Sequence, residues 1–326
     1  MTASVCVVIT ARNASATIAQ AVSSALDQPE VAEVVVVDDA STDATGPAAR
    51  EAAKGDARLT VLRNDTNLGP SAGRNRAIAA SQSPYIAILD ADDYLLPGRF
   101  QSLFAISDWE MIADNIAFVP ERLASQPLSG VPTADTHIRK LDLATFAVGN
   151  LQRSGRGDRG ELGFLKPVLS RDFLTRHGLR FNEDLWLGED FDLYVRMLAA
   201  GARFLVSHRC GYVALVREGS LSGRHRTGDL AALMAACEEN LRNPDMDAGA
   251  RTALQQHLAE IRVRWLLRRF LDEKAQNGLS AALAFALNPP ANFPPIFSGV
   301  LRDKLRAYRP QPSLPPEVRL LLSGKG

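Results

Sequence analysis

The sequence predicts an α/β fold organised around a mostly parallel sheet flanked by helices, and three observations predict it. Apolar, β-branched runs of strand length alternate with alanine-rich helical stretches over residues 5–97. The connections between them are short, which in a strand–helix–strand alternation means parallel strands joined by right-handed crossovers. Each apolar run ends in a polar or acidic cluster, at the strand ends where such sheets bind ligands.

Val5–Thr10 is a continuous apolar run, the pattern of a strand buried on both faces. Asn13 and Ser15 offer N-caps for a helix through Leu26, with Ile18, Val22 and Ala25 on one side. Val34–Val37 reads as the second strand. Asp43 can cap a helix through Lys54, and Leu59–Leu62 reads as the third strand. A helix over Ser71–Ala80 and a strand over Tyr85–Leu89 complete this half. Arg12-Asn13, Asp38-Asp39, Arg63-Asn64 and Asp90–Asp93 each follow a strand, so all four are expected on one sheet edge. Beyond Pro97, Met111–Val119 reads as a strand ended by Pro120. Ser125–Thr136 reads as a loop and Ser154–Gly163 as a mobile one. Phe164–Leu169 is expected as strand, Arg171–His177 and Asp190–Ala200 as helices, and Phe204–Val206 and Tyr212–Val216 as strands. From Asp229 onward the pattern is mostly helical.

Composition narrows the function. With 326 residues, 46% of them hydrophobic, the chain can bury a large core in one domain or two. Lys+Arg and Asp+Glu number 37 each, so no global basic charge argues for nucleic acid. Cys6, Cys210 and Cys237 lack metal-ligand spacing and fit a reducing compartment. The five histidines are scattered, which argues against zinc. The N-terminus shows no signal-peptide pattern, and no apolar stretch has the length of a membrane span.

The chemistry starts at Asp90-Ala91-Asp92-Asp93. A strand end cannot bury clustered carboxylates unpaired, so they must face something positive. Asp90 and Asp92, at i and i+2 on extended chain, point to one side and could share a hard cation while leaving room for phosphate oxygens. Asp39 could accept the imide N–H of a uracil ring or serve only the turn. Asn67–Asn75 opens a helix with Gly69 and Gly73 placed for close backbone approach. Arg74 could pair with a phosphate or simply mark a loop-to-helix junction. No Walker A or GxGxxG pattern is present, which argues against P-loop kinases and dinucleotide dehydrogenases. Gly188-Glu189-Asp190-Phe191-Asp192 starts an amphipathic helix. N-capping explains one of its acids, and a carboxylate fixed at a cleft could serve as a general base.

Val36–Asp43, Asn67–Asn75, Leu89–Asp93 and Gly188–Leu193, in this order, resemble the motif set of family 2 glycosyltransferases, inverting nucleotide-sugar enzymes of GT-A fold. The resemblance spans roughly residues 3–225. Within the family the chain is most similar to succinoglycan glucosyltransferases, on Arg159–Pro167, Leu187–Asp190 and Gly219–His225. The resemblance implies a GT-A domain over 1–225, its nucleotide-sugar half 1–100 and acceptor half 101–225, and a helical extension over 226–326. It implies that Thr10, Ala11 and Arg12, through their backbone, and Asp39 hold the uridine. Arg74 would lie near the base or diphosphate, and Ala91 would sit with Asp90 and Asp92 at the donor. Asp92 would bind Mg²⁺ or Mn²⁺ on the diphosphate, with Asp90 on the ribose or a metal-bound water. Asp190 would deprotonate the acceptor hydroxyl. Arg12 stands where an aromatic often occurs in the family.

The implied donor is a UDP-sugar, with glucose as the sugar. The implied acceptor is a saccharide on a polyprenyl-diphosphate carrier, met by a cytoplasmic protein at the inner face of the membrane. Glu189 stands beside the implied base, and Lys166 could face acceptor or phosphate, or be an edge residue with its amine in water. Trp186 could stack on a sugar or pack in the core. His225 could meet the diphosphate or lie free at the surface. On a helix, Val263, Leu266, Leu267, Phe270 and Leu271 form an apolar arc beside Arg262, Arg264, Arg268 and Arg269. That arc suits either a membrane surface or packing against the rest of the chain. The competing readings are another nucleotide-sugar donor in the same fold and a non-catalytic nucleotide-sugar-binding module.

Overall fold

The computed structural model describes residues 4–124, 128, 130–151, 162–216, 226–307 and 318–322. The chain begins with β1 (Val5–Ala11), α1 (Ile18–Leu26), β2 (Val31–Asp39), α2 (Thr45–Ala52), β3 (Leu59–Asn64), α3 (Gly69–Ala79) and β4 (Tyr85–Ile88). It continues through β5 (Tyr94–Leu95), α4 (Arg99–Phe104), β6 (Met111–Pro120), β7 (Ile138–Leu141), α5 (Leu143–Val148), β8 (Val168–Ser170), α6 (Arg171–Arg176), α7 (Glu189–Ala199) and β9 (Phe204–Val216). Helices α8 (Thr227–Asn240), α9 (Ala248–Leu287) and α10 (Phe293–Ala307) follow, and β10 (Arg319–Leu320) comes last.

Among the described residues one sheet runs β3-β2-β1-β4-β8-β6-β9-β5, with β7 on β9 and β10 on β6. The first four strands in this order are mutually parallel, as their alternation with helices requires. Beyond β4 the sheet is mixed. Strand β8 lies between β4 and β6 and pairs antiparallel with both. The parallel register sets the polar edge: Asp38 stands opposite Arg63 and Asp39 opposite Asn64.

Several local expectations change. Helix α1 starts at Ile18, because Asn13 and Ser15 bond across to the next loop instead of capping it. Asn13 Oδ1 accepts the Thr42 N–H (2.8 Å), and Ser15 N–H donates to Asp43 (3.1 Å). Asp43 also accepts the Thr45 N–H (3.0 Å), just before α2. The strand expected over Phe164–Leu169 is reduced to β8, after a 3-10 turn at Leu162–Phe164, because Pro167 has no N–H for a ladder. The two expected C-terminal strands are one strand, β9, whose pairing with β6 shifts register around Ala113 and Asn115. The 154–163 loop lies largely outside the described residues.

The main core joins the sheet to α8 and the first part of α9 through Leu230, Leu233, Ala250, Leu254 and Ile261. Helix α9 breaks at Gly278 (φ 86°), and beyond the main core its two parts enclose a second, small core with α10: Leu266, Phe270, Ala282, Ala286 and Ile296. The arc expected along 261–271 is therefore partly internal, with Leu266 and Phe270 buried. Arg268 and Arg269 pair within the helix with Asp272 and Glu273. The chain then returns to the sheet, where Asn115 exchanges two hydrogen bonds with the Leu322 backbone (3.0 and 2.8 Å). No helix among the described residues is long and apolar enough to cross a membrane.

Candidate active site

The four strand-end clusters lie on one edge of the sheet, at the ends of the parallel strands β3, β2, β1 and β4. Asp38 is buried, ion-paired with Arg63, and accepts the Ser41 N–H (2.9 Å), so it is a structural acid. Its neighbour Asp39 organises the next loop. Asp39 Oδ1 accepts from Asn64 Nδ2 (2.7 Å) and Leu68 N–H (2.9 Å), and Oδ2 from Gly69 N–H (2.9 Å). The Asn67 amide, turned so that its nitrogen donates to Asp39 Oδ2 (2.7 Å), accepts from the exposed Arg12 guanidinium through its oxygen. Thr10 and Ala11 end β1 beside this cluster, with Thr10 opposite Val37 and Ala11 opposite Asp38.

Gly69 and Gly73 serve the protein's own packing. A Cβ on Gly73 would stand 2.8 Å from Thr10 Cγ2, so its absence lets α3 settle on the end of β1. Gly69 (φ 85°) lies under the Trp186 indole, where a Cβ would meet the ring at 3.0 Å. Trp186 is 46% exposed, so its role is not core packing: one side of the ring rests on the loop held by Asp39. Gly69→Ala is expected to cost about 1–3 kcal/mol in left-handed strain, and more for the displaced indole. Thermal unfolding of Gly69→Ala, alone and with Trp186→Leu, checks this: the loss should shrink in the second background.

The charged centre lies where α3, β4, β8 and α7 converge. Gly188, left-handed at φ 74°, turns the chain into α7, whose first turn carries Glu189, Asp190 and Asp192. None caps the helix through its side chain. Asp192 pairs with Arg196 (2.7 Å) and accepts from Asn240 of α8 (3.0 Å), away from the cluster. Glu189 and Asp190 both take Arg74 Nη1 at 2.7 Å. Lys166 Nζ lies 2.9 Å from Asp190 Oδ2 and 2.9 Å from Asp90 Oδ2, while Arg74 Nη2 reaches Asp90 Oδ1 at 3.4 Å. Two cations thus bridge three carboxylates drawn from motifs far apart in the chain.

Lys166, only 8% exposed, is no edge residue, and Arg74 directs its fork at carboxylates while lying over the Phe181 ring (5.2 Å). Burial alone would lower the pKa of both cations, but Asp190 and the neighbouring acids raise them, so both stay charged. Burial would lift Asp90, yet Lys166 and Arg74 hold it below the usual carboxylate range. Glu189 is raised by burial and by Asp190, with Arg74 opposing.

A second layer supports this cluster. Asp93 is buried, accepting from Tyr212 Oη (2.7 Å) and Leu215 N–H (3.0 Å), and Tyr212 Oη accepts the Asp90 N–H (3.2 Å). Burial and the charges of Asp90 and Asp92 push Asp93 well above its ordinary range. Arg99, fully buried, forks onto Asp114 (2.9–3.0 Å) and donates to the Lys166 carbonyl (2.6 Å). Sequence reasoning missed Arg99, Asp114 and Tyr212. Asp114 was detectable, as a carboxylate inside the apolar run Met111–Val119.

At this strand end the Asp90 side chain is 34% exposed beside Lys166 and Arg74, Asp92 is half-buried, and Ala91 between them is buried. Among the described residues no three His, Cys, Asp or Glu form a metal cage. Residues 90–93 form a turn, closed by the Asp93 N–H on the Asp90 carbonyl (3.1 Å), instead of the extended chain expected, and both Asp90 carboxylate oxygens meet Lys166 or Arg74. A hard cation bound beside Asp92 would compete with those cations for Asp90 and take its other oxygens from a diphosphate and water. His225 lies outside the described residues.

Comparison with known proteins follows the same lines. The sequence profile described as "Glycosyl transferase family 2" matches residues 6–126. The chain is 48% identical to succinoglycan biosynthesis protein ExoU of Rhizobium meliloti, over 99% of this chain and 93% of that protein. It is 35% identical to ExoO, a succinoglycan biosynthesis protein of the same organism, over 87% of this chain and 81% of that protein. Among solved structures, S. aureus TarS 1–349 in complex with UDP-GlcNAc superposes with a TM-score of 0.58 at 20% identity, covering 84% of this chain and 74% of that one. That likeness shows a shared fold. An α/β sheet whose strand ends gather these acids, together with full-length similarity to ExoU, makes the chain a member of glycosyltransferase family 2 and a glycosyltransferase.

Proposed function

We propose that the protein transfers a hexose, glucose by preference, from a UDP-sugar to a saccharide on a polyprenyl-diphosphate carrier during synthesis of a succinoglycan-like exopolysaccharide. The single observation that carries the catalytic part is the sharing of Lys166 by Asp90 and Asp190, at 2.9 Å each. It joins a strand-end acid suited to a donor with a helix-start acid suited to an acceptor. Similarity to the succinoglycan biosynthesis proteins ExoU and ExoO supports the biosynthetic setting, and the UDP-GlcNAc bound to TarS supports a nucleotide-sugar donor.

In this reading uridine lies against the Thr10–Arg12 backbone and Asp39, whose oxygens already take several donors, so the base replaces one of those bonds. Asp92, with Asp90, would hold Mg²⁺ or Mn²⁺ beside the donor diphosphate, and that cation would supply neutralisation of charge on the leaving group. Trp186 offers an exposed ring face to a sugar. Asp190 accepts the proton of the acceptor hydroxyl, which must come within ~3 Å of its carboxylate. The hydroxyl oxygen attacks the anomeric carbon in line. The bond from that carbon to the diphosphate oxygen breaks, UDP departs, and configuration inverts. Lys166 is placed to steady negative charge at the same spot.

Screening UDP-sugars for UDP release, with and without a divalent cation, tests the reading. Release from one UDP-hexose, abolished by chelation, is the expected result. Turnover only with a dTDP-sugar would move the assignment to another donor. Binding of UDP-sugars without turnover, in the presence of a lipid-linked acceptor, would favour the non-catalytic module.

A further inference from the structure

The small core formed by α9 and α10 is apolar outside as well as inside. Inside it are Leu266, Phe270 and Ile296 with two alanines. Outside it stand Leu279, Leu283 and Leu287 on α9 and Phe293, Phe297 and Leu301 on α10, each 40–57% exposed. Both triplets are spaced i, i+4, i+8, so each forms a stripe along one side of its helix. From Leu279 to Leu301 the chain has no Asp, Glu, Lys or Arg. The adjoining sequence is basic on both sides: residues 302–306 hold three Lys and Arg to one Asp, and residues 262–274 hold five Lys and Arg to two acids.

We infer that this helical end of the molecule docks on an anionic lipid surface, with the two stripes entering the interface and the basic flanks meeting the headgroups. Leucine and phenylalanine beside Lys and Arg is the pattern of interfacial helices. A second copy of the chain fits less well, because apposing the stripes would also appose two sets of basic flanks. The exposed face also lacks Tyr, Trp and Arg, the side chains that anchor protein interfaces. A lipid-borne acceptor, part of the function proposed above, would give this contact its purpose. The stripes and their basic flanks are present whatever the acceptor is.

Flotation of the full chain with phosphatidylglycerol/phosphatidylcholine vesicles tests it. The protein should float with these vesicles and stay below with phosphatidylcholine alone. Leu283→Glu/Phe297→Glu should lower the bound fraction by ~10-fold or more with unchanged melting and gel-filtration behaviour. Lys274→Glu/Lys304→Glu, at two exposed positions that leave the stripes intact, should also weaken flotation. Wild-type protein left in the soluble fraction with anionic vesicles would overturn the inference. So would a wild-type dimer that the stripe variant turns into a monomer. UDP release measured without vesicles reports on the proposed reaction alone, so the two readings can fail separately.

Discussion

Asp190→Asn is expected to retain the fold and UDP binding while lowering sugar transfer by ~10²-fold or more, the range for loss of a positioned general base. The amide keeps the volume of the carboxylate. Arg74 retains Glu189 and Asp90, and Lys166 retains Asp90, so neither cation is stranded. What disappears is the one acceptor on α7 bonded to both cations and able to take a proton from an alcohol. Turnover and UDP affinity measured on the same preparation separate two roles for Asp190. If transfer falls alone, Asp190 acts on the acceptor. If melting temperature, UDP affinity and transfer fall together, it is a structural member of the ion cluster. Unchanged transfer would remove the base assignment.

How much of this was legible beforehand differs from residue to residue. The first half of the sheet was readable because β1 and β2 are buried on both faces and leave little choice of state. The gathering of acids on one sheet edge was readable because carboxylates that follow a buried strand must find partners or water at its end. Pairings were not. Arg74 could be read as a phosphate partner or as a plain loop-to-helix junction, and it meets carboxylates that follow it in sequence by 16, 115 and 116 positions. A sequence displays charges without saying which of them the fold brings together. Gly69 and Gly73 looked like openings for a ligand, and their space is filled by Trp186 and Thr10. Lys166 looked ambiguous because it falls in an apolar run read as strand from Phe164, whereas β8 starts only at Val168. Asp114 is the opposite case: a lone carboxylate in a buried strand demands a cation, and only the choice of Arg99 as that cation needed the structure.

Arg99→Met is expected to give the largest loss of stability, about 3–5 kcal/mol, because it strands a buried carboxylate. Asp114 is 3% exposed, and burial already raises its carboxyl above the ordinary range with Arg99 opposing. Arg99→Lys should recover only part of the loss, since a single ammonium cannot reproduce the fork to Asp114 and the Lys166 carbonyl. Arg99→Met/Asp114→Leu should recover most of it, because both charges leave together. Urea denaturation of the four proteins measures these differences. The double variant also separates stability from catalysis. It still lacks the donor that holds the Lys166 carbonyl at 2.6 Å, so Lys166 loses a constraint while Asp90 and Asp190 keep theirs. Recovered stability with depressed transfer would identify Arg99 as a positioning residue for Lys166. Recovery of both would confine the pair to folding.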